Sequence, residues 1–165
     1  MSSDRARNSH DASRRYRSVV AQQGRVTLEA DGNEAATIAE ETLLAETRDI
    51  VGPCGTPDDG FKVGPGKAPA PDFSVGAGTM YVGGLRVTQD AAVEATAQSE
   101  WLDTNGDPLW ADPATDAKAD EFVYLFLREQ EVCAVEDQPL LEVALGGPDT
   151  AARTRLVQRL SLIHI

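Results

Sequence analysis

The sequence predicts an α+β domain: mostly short antiparallel β-strands, one well-capped helix at about Asn33–Ile50, and a disordered basic N-terminus. Three observations predict it. Between Gln22 and Phe61 the chain turns rich in alanine and glutamate, with polar capping residues before that run and Gly52-Pro53 after it. Beyond Phe61 the apolar runs are short, alternate with polar residues, and are punctuated by glycine and proline. The first 25 residues hold six arginines and two aspartates, a local balance of 6 − 2 = +4 in a chain whose net charge is −12. Residues 1–15 therefore read as a flexible basic arm, residues 16–160 as a single α+β domain, and residues 161–165 (SLIHI) as a non-native tail on a truncated chain.

Residues 1–14 lack apolar periodicity and are expected to be mobile. Tyr16, Val19 and Val20 offer the first ordered contacts. Val26, Leu28 and Ala30 alternate with Arg25, Thr27 and Glu29, the period of a short half-buried strand. Asp31 can then cap a helix, with Glu34 three residues on as the other half of a capping box. Ala35, Ala36, Ala39, Leu43 and Ile50 fall on one helical face and are expected inside. Glu34, Thr37, Glu41 and Arg48 fall opposite and are expected in water. Gly52 is the expected C-cap, and Pro53 cannot continue the helix.

Residues 52–71 hold five glycines and five prolines, a density that makes turns; Phe61 and Val63 suit a brief strand there. Phe73 and Val75 alternate, Gly76 to Gly78 break the run, and Met80 to Val82 lead into Gly83-Gly84. That dipeptide favours a two-residue hairpin turn because glycine accepts positive φ. Leu85 and Val87 begin the return strand, and Ala91–Ala97 extends the sheet. Glu100–Ala119 is a polar insertion read as a hairpin around Asn105-Gly106. Phe122–Leu127 reads as a central strand buried on both faces, paired across a tight turn with Glu131–Val135. Leu140–Leu145 is expected as a further strand, and Thr154–Leu160 as a last strand or a short helix.

A chain of 165 residues can bury a proper core. Its negative charge disfavours nucleic acid and anionic membranes as partners. The longest apolar run, Phe122–Leu127, is far too short to cross a bilayer, and residues 1–20 have no apolar h-region of a secretory signal. Cys54 and Cys133 are too far apart in sequence for a metal knuckle and too few for a disulfide framework, and are expected reduced.

No motif specifies catalysis. Gly66-Lys67 lacks the preceding glycine and the following Ser or Thr of a phosphate loop. Gly76-x-Gly78 precedes a strand where a dinucleotide fingerprint needs a helix. Asp103, Asn105 and Asp107 have the D-x-N-x-D start of a calcium loop, but Pro108 and Ala114 replace its glycine and bidentate glutamate, leaving at most a weak site. His10 lies in the arm and His164 in the terminal stretch, so no histidine is available for a triad, a zinc site or a proton shuttle. Asp58 and Asp59 are the carboxylates to consider for hydrolysis, against the plainer role of turn formers. Trp101 and Trp110 could form an aromatic platform for sugar or a partner, or simply close the hairpin. No cofactor is expected, and the residues point away from an enzyme.

The stretch QQGRVTLEADGNEA (Gln22–Ala35) resembles the N-terminal signature of a bacterial domain-of-unknown-function family that reads close to QQGRVQLDADWNEQ. The resemblance continues in order through RDIVGPCGTPDDGF, GAGTMYVGGL, YLFLREQEVCAVED and EVALGGPDTAARTR, about Tyr16 to Arg155. The chain departs at Gly32, where the family has Trp, and at Phe126, where Val-Trp is common. The family looks like a module of phage-tail-like and contractile-injection particle proteins. The resemblance implies a structural attachment module of a larger particle protein, without catalysis of its own. Its partners would be other particle subunits or downstream domains of the same protein, in the bacterial cytoplasm or in a released particle; a homo-oligomer stays open. Arg14, Arg15, Arg17, Gln22, Gln23, Arg25, Asn33 and Glu34 are the expected contact residues. The alternatives are a carbohydrate- or cell-surface-binding module using Trp101 and Trp110, and a carboxylate-dependent hydrolase fragment using Asp58 or Asp59.

Overall fold

A computed structural model of the chain describes residues 5–66, 73–98 and 121–164. The chain is mixed α and β, with one α-helix and several short strands in small sheets among the described residues. It divides into two compact units. The first comprises Met1–Cys54, Gly83–Leu85 and Glu131–Ala152, and the second Gly55–Val82, Arg86–Gln130 and Arg153–Ile165.

Helix α1 (Glu29–Val51) dominates the first unit. It starts four residues before the expected position, so the stretch expected as a strand up to Ala30 is coil running into helix. A strand needs a partner for its backbone groups, and no described strand pairs with residues 26–30. Glu29, Ala30 and Asp31 instead form a first turn whose two acids suit the positive helix end. Leu28 is the N-cap, and its side chain has no acceptor. Only half of a capping box exists: the Asp31 carboxylate accepts from the Leu28 N–H at 3.0 Å. Asp31 is thus the third helical residue rather than the cap. At the other end Gly52, with φ 90°, donates its N–H to the Arg48 carbonyl at 2.8 Å, in the expected C-cap role.

The inner face of α1 is rotated from the expected one. Ala30 and Ile38 are buried and Glu34, Ala35 and Leu44 half-buried, whereas Ala36, Ala39, Leu43 and Ile50 are exposed. Polar neighbours select this face. The Ser9 hydroxyl lies 2.6 Å from Glu34 Oε2 and 3.5 Å from the Ala30 carbonyl oxygen, and His10 Nε2 lies 2.8 Å from Glu41 Oε2. Farther along, the Gly83 carbonyl accepts from Arg48 Nη2 at 3.0 Å, and Gly84 packs so closely on Leu44 that an added Cβ would stand 2.5 Å from its carbonyl oxygen.

The rest of the first unit is built from turns. Glu136 and Asp137 both donate backbone N–H groups to the Cys133 carbonyl at 3.0 Å, and Val132, Cys133 and Ala134 are buried. Leu140–Leu145, expected as a strand, is two single-turn 3-10 helices, Gln138–Leu140 and Val143–Leu145. Its backbone bonds close locally: Glu142 accepts from Gly147 at 2.9 Å and donates to Pro148 at 3.0 Å. Val143 and Leu145 consequently point outward.

The second unit holds the larger core. Strands β2 (Val63–Pro65), β3 (Phe73–Val75) and β6 (Val93–Glu94) form an antiparallel sheet in that order, with Val63 opposite Val75 and Val75 opposite Val93. Strands β1 (Cys54–Gly55), β4 (Gly78–Val82) and β5 (Leu85–Gln89) form a second sheet. Between β4 and β5, Gly83 and Gly84 both have positive φ, as the tight hairpin demands. Strands β7 (Glu121–Val132) and β8 (Arg153–His164) pair as a two-stranded ribbon. Phe61, Phe73, Val75, Val87, Ala95 and Leu160 make the buried core, with Met80, Val123, Leu125, Leu127 and Leu156 packed against it.

The run Phe122–Leu127 is not buried on both faces. A ribbon of two strands has only one covered side, so the run alternates: Val123, Leu125 and Leu127 face the core while Phe122 and Phe126 are exposed. Nor do residues 131–135 return as its partner. Strand β7 continues to Val132, and its partner is β8, which begins at Arg153 and settles Thr154–Leu160 as strand.

Candidate functional site

The first unit carries a groove of about 510 Å³ along the start of α1. One wall is the irregular segment before the helix, with Val19, Val20, Gln22, Arg25 and Val26. The other is the first turns of α1, with Asp31, Gly32 and Ala35. The segment is held away from regular structure by a turn in which Arg25 donates its N–H to the Gln22 carbonyl at 3.2 Å, with Gly24 at φ 70°. Gly32 leaves its stretch of helix bare: no atom lies within 4 Å of where its Cβ would stand. Val20 and Val26, 78% and 84% exposed, add apolar surface beside the concavity.

The polar groups of this groove suit binding more than bond-making. Arg25 stands on one wall and Asp31 on the other, and Asp31 already accepts from the Leu28 N–H. The lining has no hydroxyl beyond Thr27, and no thiol or imidazole. Apolar contact with an edge of charge is what it offers.

Of the eight expected contact residues, the groove brings Gln22 and Arg25 together. Gln23 is exposed beside it. Arg14, Arg15 and Arg17 are exposed on the preceding segment, where Arg14 Nε pairs with Asp11 at 3.3 Å. The hydroxyl and N–H of Ser13 hold the Asp11 carboxyl below the usual carboxylate range, with Arg14 adding to the effect. Asn33 faces water and Glu34 is engaged by Ser9. Val19, Val20 and Ala35, outside the stretch from Gln22 to Glu34, were not expected as site residues. Gly32 inside a helix, at a cost of about 1 kcal/mol relative to alanine, was the signal that could have found them.

Asp58 lies in the second unit, in a backbone clasp. Its Oδ1 lies 3.2 Å from the Thr79 N–H, 3.1 Å from that of Gly60 and 3.0 Å from the Thr56 hydroxyl oxygen. That hydroxyl also lies 2.7 Å from the Thr79 carbonyl oxygen and accepts from the Gly60 N–H at 2.9 Å. The Thr79 N–H, with the Thr56 hydroxyl and Gly60 N–H behind it, holds the Asp58 carboxyl below its ordinary 3.8. A depressed pKa contributes stability above the unfolded value that is lost as pH falls through the folded one. The Thr79 amide resonance should therefore titrate with a midpoint below 3.8; a midpoint at or above that value would show that the clasp does not favour the anion. Asp59 instead pairs with Lys62 Nζ at 3.2 Å on the surface. Asp58 thus ties the turn at Gly60 to β4, and Asp59 lies at the surface beside it.

Trp101, Trp110, Asp103, Asn105 and Asp107 lie outside the described residues. Among the described residues no group of three or more His, Cys, Asp or Glu side chains is arranged for a metal ion. Cys54 is exposed and Cys133 buried, both as free thiols. No described helix is long and apolar enough to cross a membrane.

The model of a family of unknown function, DUF6519, covers residues 1–164. No curated protein and no solved structure matches the chain.

Proposed function

We propose a function on the premise that this chain belongs to the family of unknown function DUF6519: it is an attachment module that docks a larger phage-tail-like or contractile-injection particle protein to its neighbours, without catalysis of its own. The observation that carries the reading is the groove at the start of α1, where exposed Val20 and Val26 flank bare helix at Gly32. Apolar side chains around a concavity mark a partner site more often than an idle surface. The resemblance of Gln22–Ala35 to the N-terminal signature of a domain-of-unknown-function family falls on the same residues. The occupant is an apolar side chain of a particle subunit or of a downstream domain, with Arg25 and the arginines of the preceding segment steering its acidic surroundings.

Val26→Glu puts a carboxylate on the exposed wall of the groove, whereas Gly32→Ala leaves the groove open and stabilises the helix by about 0.5–1 kcal/mol. Particles sedimented from bacteria that produce them should contain the wild-type protein and the alanine variant. They should contain about tenfold less of the glutamate variant, the loss expected when one buried contact worth about 1.4 kcal/mol is removed. Reversing exposed Arg14, Arg15 and Arg17 to glutamate should also reduce incorporation, through lost steering. Absence of the wild-type protein from the particle fraction, or equal incorporation of all variants, would sink this reading.

A further inference from the structure

The two faces of the β7–β8 ribbon differ in chemistry. Val123, Leu125, Leu127, Leu156 and Leu160 belong to the core of the second unit. Strand alternation puts Phe122, Tyr124, Phe126 and Arg128 of β7 on the other face, with Arg153, Arg155 and Arg159 of β8 beside them and buried Val157 between the last two. Two cross-strand contacts fix this arrangement. The Arg159 guanidinium carbon lies 5.3 Å from the centre of the Phe126 ring. Arg155 donates from Nε and Nη2 to Gln130 Oε1 at 3.3 and 3.0 Å. Phe122, Phe126, Arg128, Arg153 and Arg155 are exposed.

Between Phe122 and Gln130, and between Arg153 and Arg159, this face carries four arginines, three aromatic rings and no carboxylate. After Arg25 the chain holds 15 − 6 = 9 basic residues against 27 − 2 = 25 acidic ones. Four of those nine basic residues are thus gathered on one ribbon face of an otherwise strongly acidic stretch.

We propose that this face binds an acidic polypeptide segment of a partner protein. A guanidinium meets a carboxylate through two parallel hydrogen bonds, so a few acidic side chains suffice to set the register. Phe122, Tyr124 and Phe126 supply apolar contact from side chains that lose little conformational freedom on binding. Single-stranded nucleic acid also combines negative charge with flat rings. It carries a charge at every nucleotide, however, and the chain's net −12 repels a dense polyanion at range. A peptide with few carboxylates responds chiefly to the arginines within a screening length of about 8 Å.

The test uses the whole chain and fluorescence anisotropy. The probes are a labelled peptide of alternating acidic and aromatic residues, the same peptide with lysine for each acid, and an oligothymidylate. The acidic peptide should bind, and more weakly as salt rises. The double reversal Arg128→Glu with Arg155→Glu should weaken it about tenfold, because two exposed ion pairs are lost and the new carboxylates repel the peptide. It should also let the lysine peptide bind. Phe122→Ala, which keeps the charge, should weaken the acidic peptide severalfold. Val26→Glu should leave this binding unchanged, so failure here and failure of the groove reading are separate results. Tighter binding of oligothymidylate, or acidic-peptide binding indifferent to the double reversal, overturns the proposal.

Discussion

Gly78→Ala is expected to cost roughly 3–5 kcal/mol of stability, the sum of a backbone and a packing penalty. Gly78 has φ 134°, a region that residues with a Cβ rarely adopt. An added Cβ would also stand 2.5 Å from Gly60 Cα and 3.1 Å from Asp58 Oδ1. Those neighbours cannot retreat, because the clasp of Thr56, Asp58, Gly60 and Thr79 fixes both chains by hydrogen bonds. The two penalties therefore combine. Gly83→Ala separates them, since Gly83 has φ 60° but no atom within 4 Å of a Cβ; it should cost only about 1 kcal/mol. Urea unfolding of the two variants checks the pair. Equal costs would mean that the close approach of Gly60 and Gly78 contributes nothing.

Phe61→Ala is expected to cost about 3–4 kcal/mol, the range for truncating a buried aromatic ring. Phe61 is 7% exposed and joins Phe73, Val75 and Leu160 in the core of the second unit. It reaches that core from a backbone at φ 61°, two residues after Asp59 at φ 55°, so burial of its ring offsets a local strain of about 1–2 kcal/mol. The control is Phe122→Ala, with a ring 58% exposed on the ribbon's outer face. It should change stability by no more than about 0.5 kcal/mol. A small loss at Phe61 would show that the site relaxes to fill the space, and a large loss at Phe122 would show that its ring is covered in solution.

The errors of sequence reading follow a physical pattern. The segment before α1 was legible as alternation, yet alternation over five residues is satisfied equally by a strand and by coil entering a helix. Only an adjacent strand could have chosen the former. Leu140–Leu145 failed in the same way, its backbone groups being closed by Glu142, Gly147 and Pro148 instead of a neighbour. The inner face of α1 was misplaced because alanines were counted as core formers, whereas Ser9 and His10, more than twenty residues upstream, decide which turn of the helix is covered. The groove was half legible. Gln22 and Arg25 stood out by pattern, but the valines and Gly32 acquire meaning only once the segment folds beside the helix.

What the sequence by itself determined is therefore local and covalent in range: the α+β class, one helix with its Gly52 stop, the Gly83-Gly84 hairpin, and turns wherever glycine and proline cluster. Each rests on backbone bonds or dihedral limits within a few residues, and nearby side chains specify those. Tertiary structure alone decided which face of α1 is covered, that β7 pairs with β8 across a twenty-residue gap, and that the ribbon's arginines and rings share one side. Those outcomes depend on which distant segment supplies the partner atoms, and burial against that partner, not local preference, selects among alternatives of nearly equal local energy.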